Sequence, residues 1–198
     1  MNNYEMPYVI EKGFDVSNGL TIETKLFNDN RTIYLDCPID NESALSIIKQ
    51  IQLLSLVSKE KINLIISSPG GDIDYGLSII DAIDNCGCKV SAYALGRVAS
   101  MASLIFVYCD ERIMYKHSKL LFHNPFYGDG FGGDLNRIEY YSACLTKIQG
   151  IMTEIIKENS KLSDEEIKNI CNKEQYMNPE EALQCGLIDR IEGETDDK

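Results

Sequence analysis

One part of the sequence constrains the fold more than any other, because two strand-type runs flank a glycine turn and a helix-type run. Residues 62–67, Ile-Asn-Leu-Ile-Ile-Ser, have the apolar pattern of a buried strand. The turn Ser-Pro-Gly-Gly follows at 68–71, residues 75–85 carry apolar side chains at helical spacing, and residues 89–94 form another strand-type run. A helix between two such strands is typical of a parallel sheet, so we predict an α/β protein built from stacked βαβ units.

The same alternation continues along the chain and indicates one domain, as the length of 198 residues also favours. A Ser-x-x-Glu capping box at 163–166 and Pro179 mark two helix starts. We predict further strands at residues 32–35, 112–115, 119–123 and 187–191, and further helices at residues 42–56, 99–107, 135–157, 163–171 and 179–186. The predicted organisation is an irregular segment over residues 1–25, one folded domain over residues 26–191 and an acidic, disordered tail over residues 192–198.

Composition excludes several classes of function. The chain has 19 basic and 31 acidic residues, so its formal net charge is 19 − 31 = −12, which argues against a nucleic-acid partner and a polybasic membrane anchor. No apolar run reaches the length of a membrane span, and the N-terminus lacks the pattern of a signal peptide. Seven cysteines, without a secretory context, predict reduced thiols in a cytoplasmic protein. The pair Cys86-Gly-Cys88 lacks the further ligands of a zinc site.

Two histidines are the only candidates for a histidine base. His117 lies in a polar turn, where a solvated loop residue is expected. His123 ends an apolar run and precedes Asn124-Pro125. Taken from its residues alone, His123 fits either a structural histidine at a strand end or a general base.

Ser100 is the candidate nucleophile, because residues 96–103, Gly-Arg-Val-Ala-Ser-Met-Ala-Ser, lead from a strand into an apolar helix. Backbone N–H groups at a helix N-terminus stabilise a developing negative charge. A plain helix N-cap is the alternative for Ser100, and Ser103, one turn later, is expected to pack in the core.

Two glycine-rich segments complete the candidate set. Gly70 and Gly71 permit close backbone approach, so that an N–H group can meet an oxyanion or an extended peptide, although an ordinary turn is the alternative. The glycine cluster at 128–133 lacks the Gly-Lys-Ser/Thr of a phosphate loop.

Five motifs in order resemble the proteolytic subunit of the Clp protease, within the crotonase-like superfamily. The resemblance extends from about residue 26 to residue 191, and it implies a crotonase/Clp-protease-like fold of stacked ββα units with a protruding strand–helix handle at about 124–160. The motifs are Ile-Ser-Ser-Pro-Gly-Gly-Asp at 66–72, Ala-Ser-Met-Ala-Ser at 99–103, Phe-His-Asn-Pro at 122–125, Tyr-Met-Asn-Pro-Glu-Glu-Ala at 176–182 and Gly-Leu-Ile-Asp at 186–189.

The resemblance assigns roles to residues at the matching positions. It implies that Ser100 is the nucleophile and that His123 is the general base. It also implies that the N–H groups of Gly71 and Met101 form the oxyanion hole. The residues implied to bind the substrate backbone are Gly70, Gly71, Tyr127, Gly128 and Gly130.

The third member of the triad is where the sequence departs from the family. The family has an aspartate two residues before the aromatic of the next motif, and this chain has Glu174 there. A glutamate can orient an imidazole, but it is one methylene longer, so Glu174 is the expectation. The alternatives are Asn172, whose amide favours the wrong tautomer, another carboxylate such as Asp164, or no acid partner within reach.

The implied function is a serine endopeptidase subunit that assembles into two stacked rings of seven, a tetradecamer. The polypeptide substrate would be delivered by a partner AAA+ ATPase ring, so the chain itself would need no cofactor and no metal. Residues 1–25 would form an axial gate, and apolar residues on the first two predicted helices or on strands near Ile62 or Ile113 would dock the ATPase. The alternatives are a weakly active or inactive ring subunit or paralogue, a phage-type Clp-like head-maturation protease, or a crotonase-type acyl-CoA enzyme.

Overall fold

The computed structural model describes residues 8–9, 20–128 and 132–193. In chain order the described strands are β1 (Tyr8–Val9), β2 (Leu20–Thr21), β3 (Thr32–Leu35), β4 (Ile62–Ile66), β5 (Val90–Ala94), β6 (Arg97–Ala99), β7 (Glu111–Tyr115), β8 (Lys119–Leu121) and β9 (Arg190–Glu192). The described helices are α1 (Ile22–Asn30), α2 (Asn41–Val57), α3 (Ile73–Asn85), α4 (Met101–Tyr108), α5 (Leu135–Glu158), α6 (Asp164–Lys173) and α7 (Pro179–Gln184).

A five-stranded parallel sheet forms the centre of the fold. Its strands lie in the order β3-β4-β5-β7-β9, and Leu64 of β4 is in register with Ile33 on one side and Ala92 on the other. All three of these side chains are buried, as expected where helices cover a parallel sheet. The sheet confirms the predicted α/β class.

A second, two-stranded sheet positions the candidate nucleophile. After β5 the chain turns at Gly96, which has a φ of 68°, and β6 then pairs in parallel with β8 through Val98 and Leu120. Two successive strands, β5 and β6, therefore precede α4. This is the ββα arrangement that the resemblance implied.

Helix α5 is buried only toward its C-terminal end. Its buried residues are Met152, Ile155 and Ile156, and the preceding turns of the helix contain no fully buried residue. Residues 122–128 form no strand in the structure, and residues 129–131, which include the predicted contact residue Gly130, lie outside the described residues. The strand part of the expected handle therefore stays a prediction.

The ends of the predicted domain fall within secondary structure. Helix α1 crosses the expected boundary between residues 25 and 26, and β9 continues to Glu192, across the expected start of the tail. The remainder of the expected gate and tail, at residues 1–7, 10–19 and 194–198, lies outside the described residues. In the part of the chain that the structure covers, no helix is both long and apolar enough to cross a membrane.

Candidate active site

Ser100 occupies a strained junction between β6 and α4. Its φ of 57° and ψ of −130° lie where residues other than glycine are rarely found, and such strain is typical of functional sites. The N–H of Ser100 donates to the carbonyl of Leu121 at 2.9 Å, and the N–H of Ala99 donates to the carbonyl of Ser68 at 3.0 Å. The Ser100 side chain makes no capping hydrogen bond. Ser100 therefore occupies the N-cap position of α4 without capping the helix through its hydroxyl.

Ser103, one turn further along α4, has a structural role. It is fully buried, and its hydroxyl lies 2.7 Å from the carbonyl oxygen of Leu121 and 3.2 Å from that of Val98. It ties α4 to both strands of the small sheet, which confirms that it packs in the core.

The turn after β4 lies against Ser100, and only glycine fits there. Gly70 has a φ of 88°, and a Cβ built on it would lie 2.6 Å from the Cβ of Ser100 and 2.9 Å from the backbone nitrogen of Met101. Ser68 holds this turn from the other side, since its buried hydroxyl donates to the carbonyl of Cys37 and accepts from the N–H of Gly70. The Pro-Gly-Gly turn is thus packed directly against the candidate nucleophile, Ser100, rather than being an ordinary surface turn.

Two backbone N–H groups beside Ser100 are available for an oxyanion. The N–H of Ile39 donates to the carbonyl of Gly70, and the carbonyl of Ile39 accepts from the N–H of Asp72, each at 2.9 Å. The N–H of Gly71 therefore lies on the edge of the turn opposite Ile39. The N–H of Met101 is the first of α4, and neither group bonds an acceptor among the described residues. Free N–H groups at a helix start are suited to a developing negative charge.

These residues line a cavity of about 630 Å³, which is in the size range of ligand sites. Ser100, His123, Gly70 and Gly71 lie on its wall, together with Tyr127 and Gly128. The remaining wall is largely apolar and includes Met101, Leu104, Pro125, Phe126, Ile148 and Met152. The structure therefore brings together the predicted nucleophile, base and oxyanion donors, and four of the five predicted substrate-binding residues, while the fifth, Gly130, lies outside the described residues.

His123 lies on this wall with one ring nitrogen already engaged. Its Nδ1 is 2.7 Å from the carbonyl oxygen of Asn124, and its ring lies 5.4 Å from that of Phe126. A carbonyl oxygen only accepts, so the proton of the neutral ring is on Nδ1 and the lone pair is on Nε2. No hydrogen bond joins His123 to Ser100 in this arrangement, although both face the cavity. His117, by contrast, is exposed in a turn, as predicted.

Glu174 does not meet His123 in the structure. It ends α6 with a left-handed φ of 50°, its side chain is exposed, and it has no hydrogen bond or ion pair with any residue that the structure describes. The predicted role of Glu174 as the orienting carboxylate therefore has no contact to support it here.

The two alternative candidates for the third member of the triad, Asn172 and Asp164, have other partners in the structure. Asn172 contacts the segment of the base indirectly, because its side-chain oxygen accepts from the amide of Asn124 at 2.8 Å. Asp164 is exposed and pairs with Lys157 at 2.7 Å. Neither side chain hydrogen-bonds the imidazole. Sequence reasoning missed the carbonyl of Asn124 as a partner of His123, since no side-chain pattern reports a backbone acceptor.

Three buried cysteines do not compete with Ser100 as nucleophiles. Burial raises the pKa of Cys171 to about 11 and raises the pKa values of Cys86 and Cys109 as well. These thiols stay protonated at neutral pH and are inert. In the described ranges, no three His, Cys, Asp or Glu side chains gather into a possible metal site.

Comparison with known proteins identifies the family of the chain. The sequence model of the Clp protease family matches residues 17–195, which is most of the chain. The chain belongs to the Clp protease family. It is accordingly a serine peptidase of the Clp protease type.

Two curated relatives of the Clp protease family show how far the similarity extends. The chain is 30% identical over 190 residues to the ATP-dependent Clp protease proteolytic subunit of Bdellovibrio bacteriovorus, covering 94% of this chain and 89% of the relative. It is 29% identical over 193 residues to the protein of the same name from Deinococcus radiodurans, covering 96% and 93%. The similarity to members of the Clp protease family thus covers nearly the whole length of each protein.

Proposed function

We propose that the chain is the serine endopeptidase subunit of a self-compartmentalised ring protease, with Ser100 as nucleophile and His123 as general base. The observation that carries the proposal is that the Ser100 hydroxyl makes no capping hydrogen bond to α4. It is held on strained backbone at a cavity that His123 also lines. Free N–H groups at Gly71 and Met101 support the same chemistry.

The reaction begins when His123 takes the proton of the Ser100 hydroxyl at Nε2 and the serine oxygen attacks a peptide carbonyl. The N–H groups of Gly71 and Met101 donate to the resulting oxyanion, and one such donor contributes about 3–4 kcal/mol in a comparable site. His123 then gives the proton to the leaving amine, which leaves an acyl group on Ser100. Water, activated by the same base, releases the acyl group. Rotation of the Ser100 side chain brings its hydroxyl toward Nε2 of His123 before the first step, while Nδ1 keeps its contact with the Asn124 carbonyl.

The substrate is proposed to be an extended, unfolded polypeptide. The opposite edge of the Gly70-Gly71 segment already pairs with Ile39, so the free edge faces the cavity, where an extended chain can add as a strand. Tyr127 and Gly128 lie on the wall of the same cavity. The apolar wall formed by residues such as Leu104 and Met152 suits an apolar substrate side chain.

Exposed apolar side chains support assembly and docking. On α5, Leu135 and Tyr140 are 69% and 67% exposed, and we propose that this surface packs between subunits, in two stacked rings of seven. On α2, Leu56 and Val57 are 83% and 73% exposed, and we propose that they contribute to a surface for an AAA+ ATPase. Ile62 and Ile113 are themselves fully buried in the core, so on those strands the docking proposal is limited to exposed neighbours such as Tyr115, which is 39% exposed. We place the assembly in the cytoplasm, where its thiols stay reduced.

The experiment that tests the nucleophile compares hydrolysis of a fluorogenic peptide by the wild type and by Ser100→Ala. We expect Ser100→Ala to abolish hydrolysis. The exposed helical serine in Ser78→Ala is the matched control and should leave it unchanged. Hydrolysis that survives in Ser100→Ala would show that Ser100 is not the nucleophile.

A weakly active ring subunit is the second candidate function, and the placement of Glu174 favours it. A histidine without a carboxylate partner lacks compensation for the charge that it acquires. Slow reaction of Ser100 with a fluorophosphonate, at a rate no higher than that of a surface serine such as Ser78, would support the inactive subunit over the peptidase.

A further inference from the structure

We infer that Asn124 and Asn172 act as positioning residues for His123, in place of the carboxylate that the family has at this point. This inference rests on the proposed function, since it concerns the base of the same reaction. Its basis is a chain of two hydrogen bonds: the imidazole Nδ1 to the carbonyl of Asn124 at 2.7 Å, and the amide of Asn124 to the side chain of Asn172 at 2.8 Å.

The first hydrogen bond sets the tautomer of the ring. A neutral imidazole carries one proton, and a carbonyl oxygen accepts hydrogen bonds but never donates them. The Asn124 carbonyl therefore selects the form with the proton on Nδ1 and the lone pair on Nε2, which is the form that a base for Ser100 needs. A side-chain amide facing the ring directly would lack this selectivity, because its NH₂ group can donate. A backbone carbonyl has no such second orientation.

The second hydrogen bond holds the carbonyl in place. Asn124 has left β8, which ends at Leu121, and residues 122–128 have no strand partner. The Asn124 side chain reaches α6 and bonds to Asn172, a residue that the helix places there. Asn172 does not touch the imidazole, so its effect on His123 passes through the loop that carries the base.

The position of Glu174 completes the argument. It lies one residue beyond the last turn of α6, on left-handed backbone, and its exposed carboxylate makes no hydrogen bond or ion pair with the described residues. The carbonyl supplies orientation without a full negative charge. The arrangement thus fixes the tautomer but compensates the imidazolium less than a carboxylate would.

The kinetic test uses variants that remove the link without touching the ring. Asn172→Leu should lower kcat about three- to tenfold with little change in KM, as expected for the loss of one hydrogen bond. Asn172→Asp keeps an acceptor for the Asn124 amide and should restore kcat. Asn169→Leu, an exposed asparagine on the same helix, is the matched control. Asn124→Ala combined with Asn172→Leu should cost no more than the larger single effect.

A spectroscopic readout separates positioning from a general loss of folding. The chain has two histidines, so ¹⁵N labelling of histidine gives two imidazole signal sets, and His117→Gln assigns them. We expect His123 in the Nδ1–H form in the wild type and in Asn172→Asp, with a shift toward the Nε2–H form in Asn172→Leu. This readout needs no turnover, so it tests the inference even where the peptidase proposal fails.

Three outcomes would overturn the inference. The first is an Nε2–H ring at His123 in the wild type. The second is full additivity of the Asn124→Ala and Asn172→Leu effects. The third is a larger fall in kcat for Glu174→Gln than for Asn172→Leu, which would show that the carboxylate of Glu174 positions His123.

Discussion

Gly70→Ala tests the packing of the turn against the nucleophile. At a φ of 88° an alanine adopts left-handed backbone, which costs about 1–2 kcal/mol. Its Cβ would also lie 2.6 Å from the carbonyl oxygen of Ala99 and from the Cβ of Ser100, and 2.9 Å from the nitrogen of Met101. Relief of such an overlap typically costs about 1–3 kcal/mol. The free energy of unfolding should therefore fall by about 2–5 kcal/mol.

The same overlap should affect catalysis, because the atoms that must move belong to Ser100 and Met101. A displacement of 1 Å in a reacting group costs about 10²-fold in rate, and loss of one oxyanion donor costs as much or more. We therefore expect kcat/KM for peptide hydrolysis to fall at least about 100-fold in Gly70→Ala, at a temperature well below its unfolding midpoint.

Gly96→Ala is the matched control for this experiment. Gly96 also has left-handed backbone, with a φ of 68°, but a Cβ there would meet only the Ser67 hydroxyl at 3.5 Å, an ordinary contact. It should lose about 1–2 kcal/mol of stability and keep its activity. The assays are thermal unfolding and initial rates on a fluorogenic peptide. Wild-type activity in Gly70→Ala, with a stability no lower than that of Gly96→Ala, would refute the packing argument.

Three further predictions concern stability, pH and the hydroxyl of Ser103. Ser103→Ala removes a buried hydroxyl that reaches two carbonyls and should lower the free energy of unfolding by about 1 kcal/mol, measured by urea unfolding; no change would contradict the structural role. Burial disfavours ionisation of Asp189, but hydrogen bonds and charge from Arg112 outweigh it and lower the pKa of its carboxyl. The stabilisation is complete above the unfolded pKa of about 3.9 and is lost as pH falls through the folded pKa, so the difference in Tm between wild type and Asp189→Asn should shrink between pH 6 and pH 3. A difference that grows on acidification would contradict this sign. Leu56→Glu, at an 83% exposed site on α2, should leave peptide hydrolysis unchanged while weakening ATPase-dependent degradation of a protein; unchanged protein degradation would remove α2 from the docking surface.

The central strands were predictable because their burial is continuous and local. Residues 62–66 and 90–94 are apolar runs bounded by turn residues, and the structure places strands β4 and β5 there. Helix α1 was missed, since Ile22–Asn30 is largely polar and has no fully buried residue, so no apolar face marked it. Strand β6 has only three residues, too few for a periodic pattern.

In the candidate site too, the residues that lie in local motifs were predictable and the long-range contacts were not. Ser100, His123 and Gly71 were found from short motifs, because each motif joins a strand to a turn or helix that the structure contains. The strained φ of Ser100 occurs where the N–H of Ala99 donates to Ser68 and the N–H of Ser100 donates to Leu121, and no local sequence pattern predicts such long-range bonds. The contact of Asn124 with Asn172 joins residues 48 positions apart. Such contacts depend on how α6 packs, so the short motifs could not predict the link from His123 through Asn124 to Asn172.

The measurement that tests the central claim most directly is reaction of the intact protein with a fluorophosphonate, followed by mass spectrometric mapping of the modified residue. The account predicts one modified residue, Ser100, with labelling strongly slowed in His123→Ala and unchanged in His117→Ala, because only His123 lines the cavity. Labelling at another residue, or labelling of Ser100 at an equal rate without His123, would contradict it.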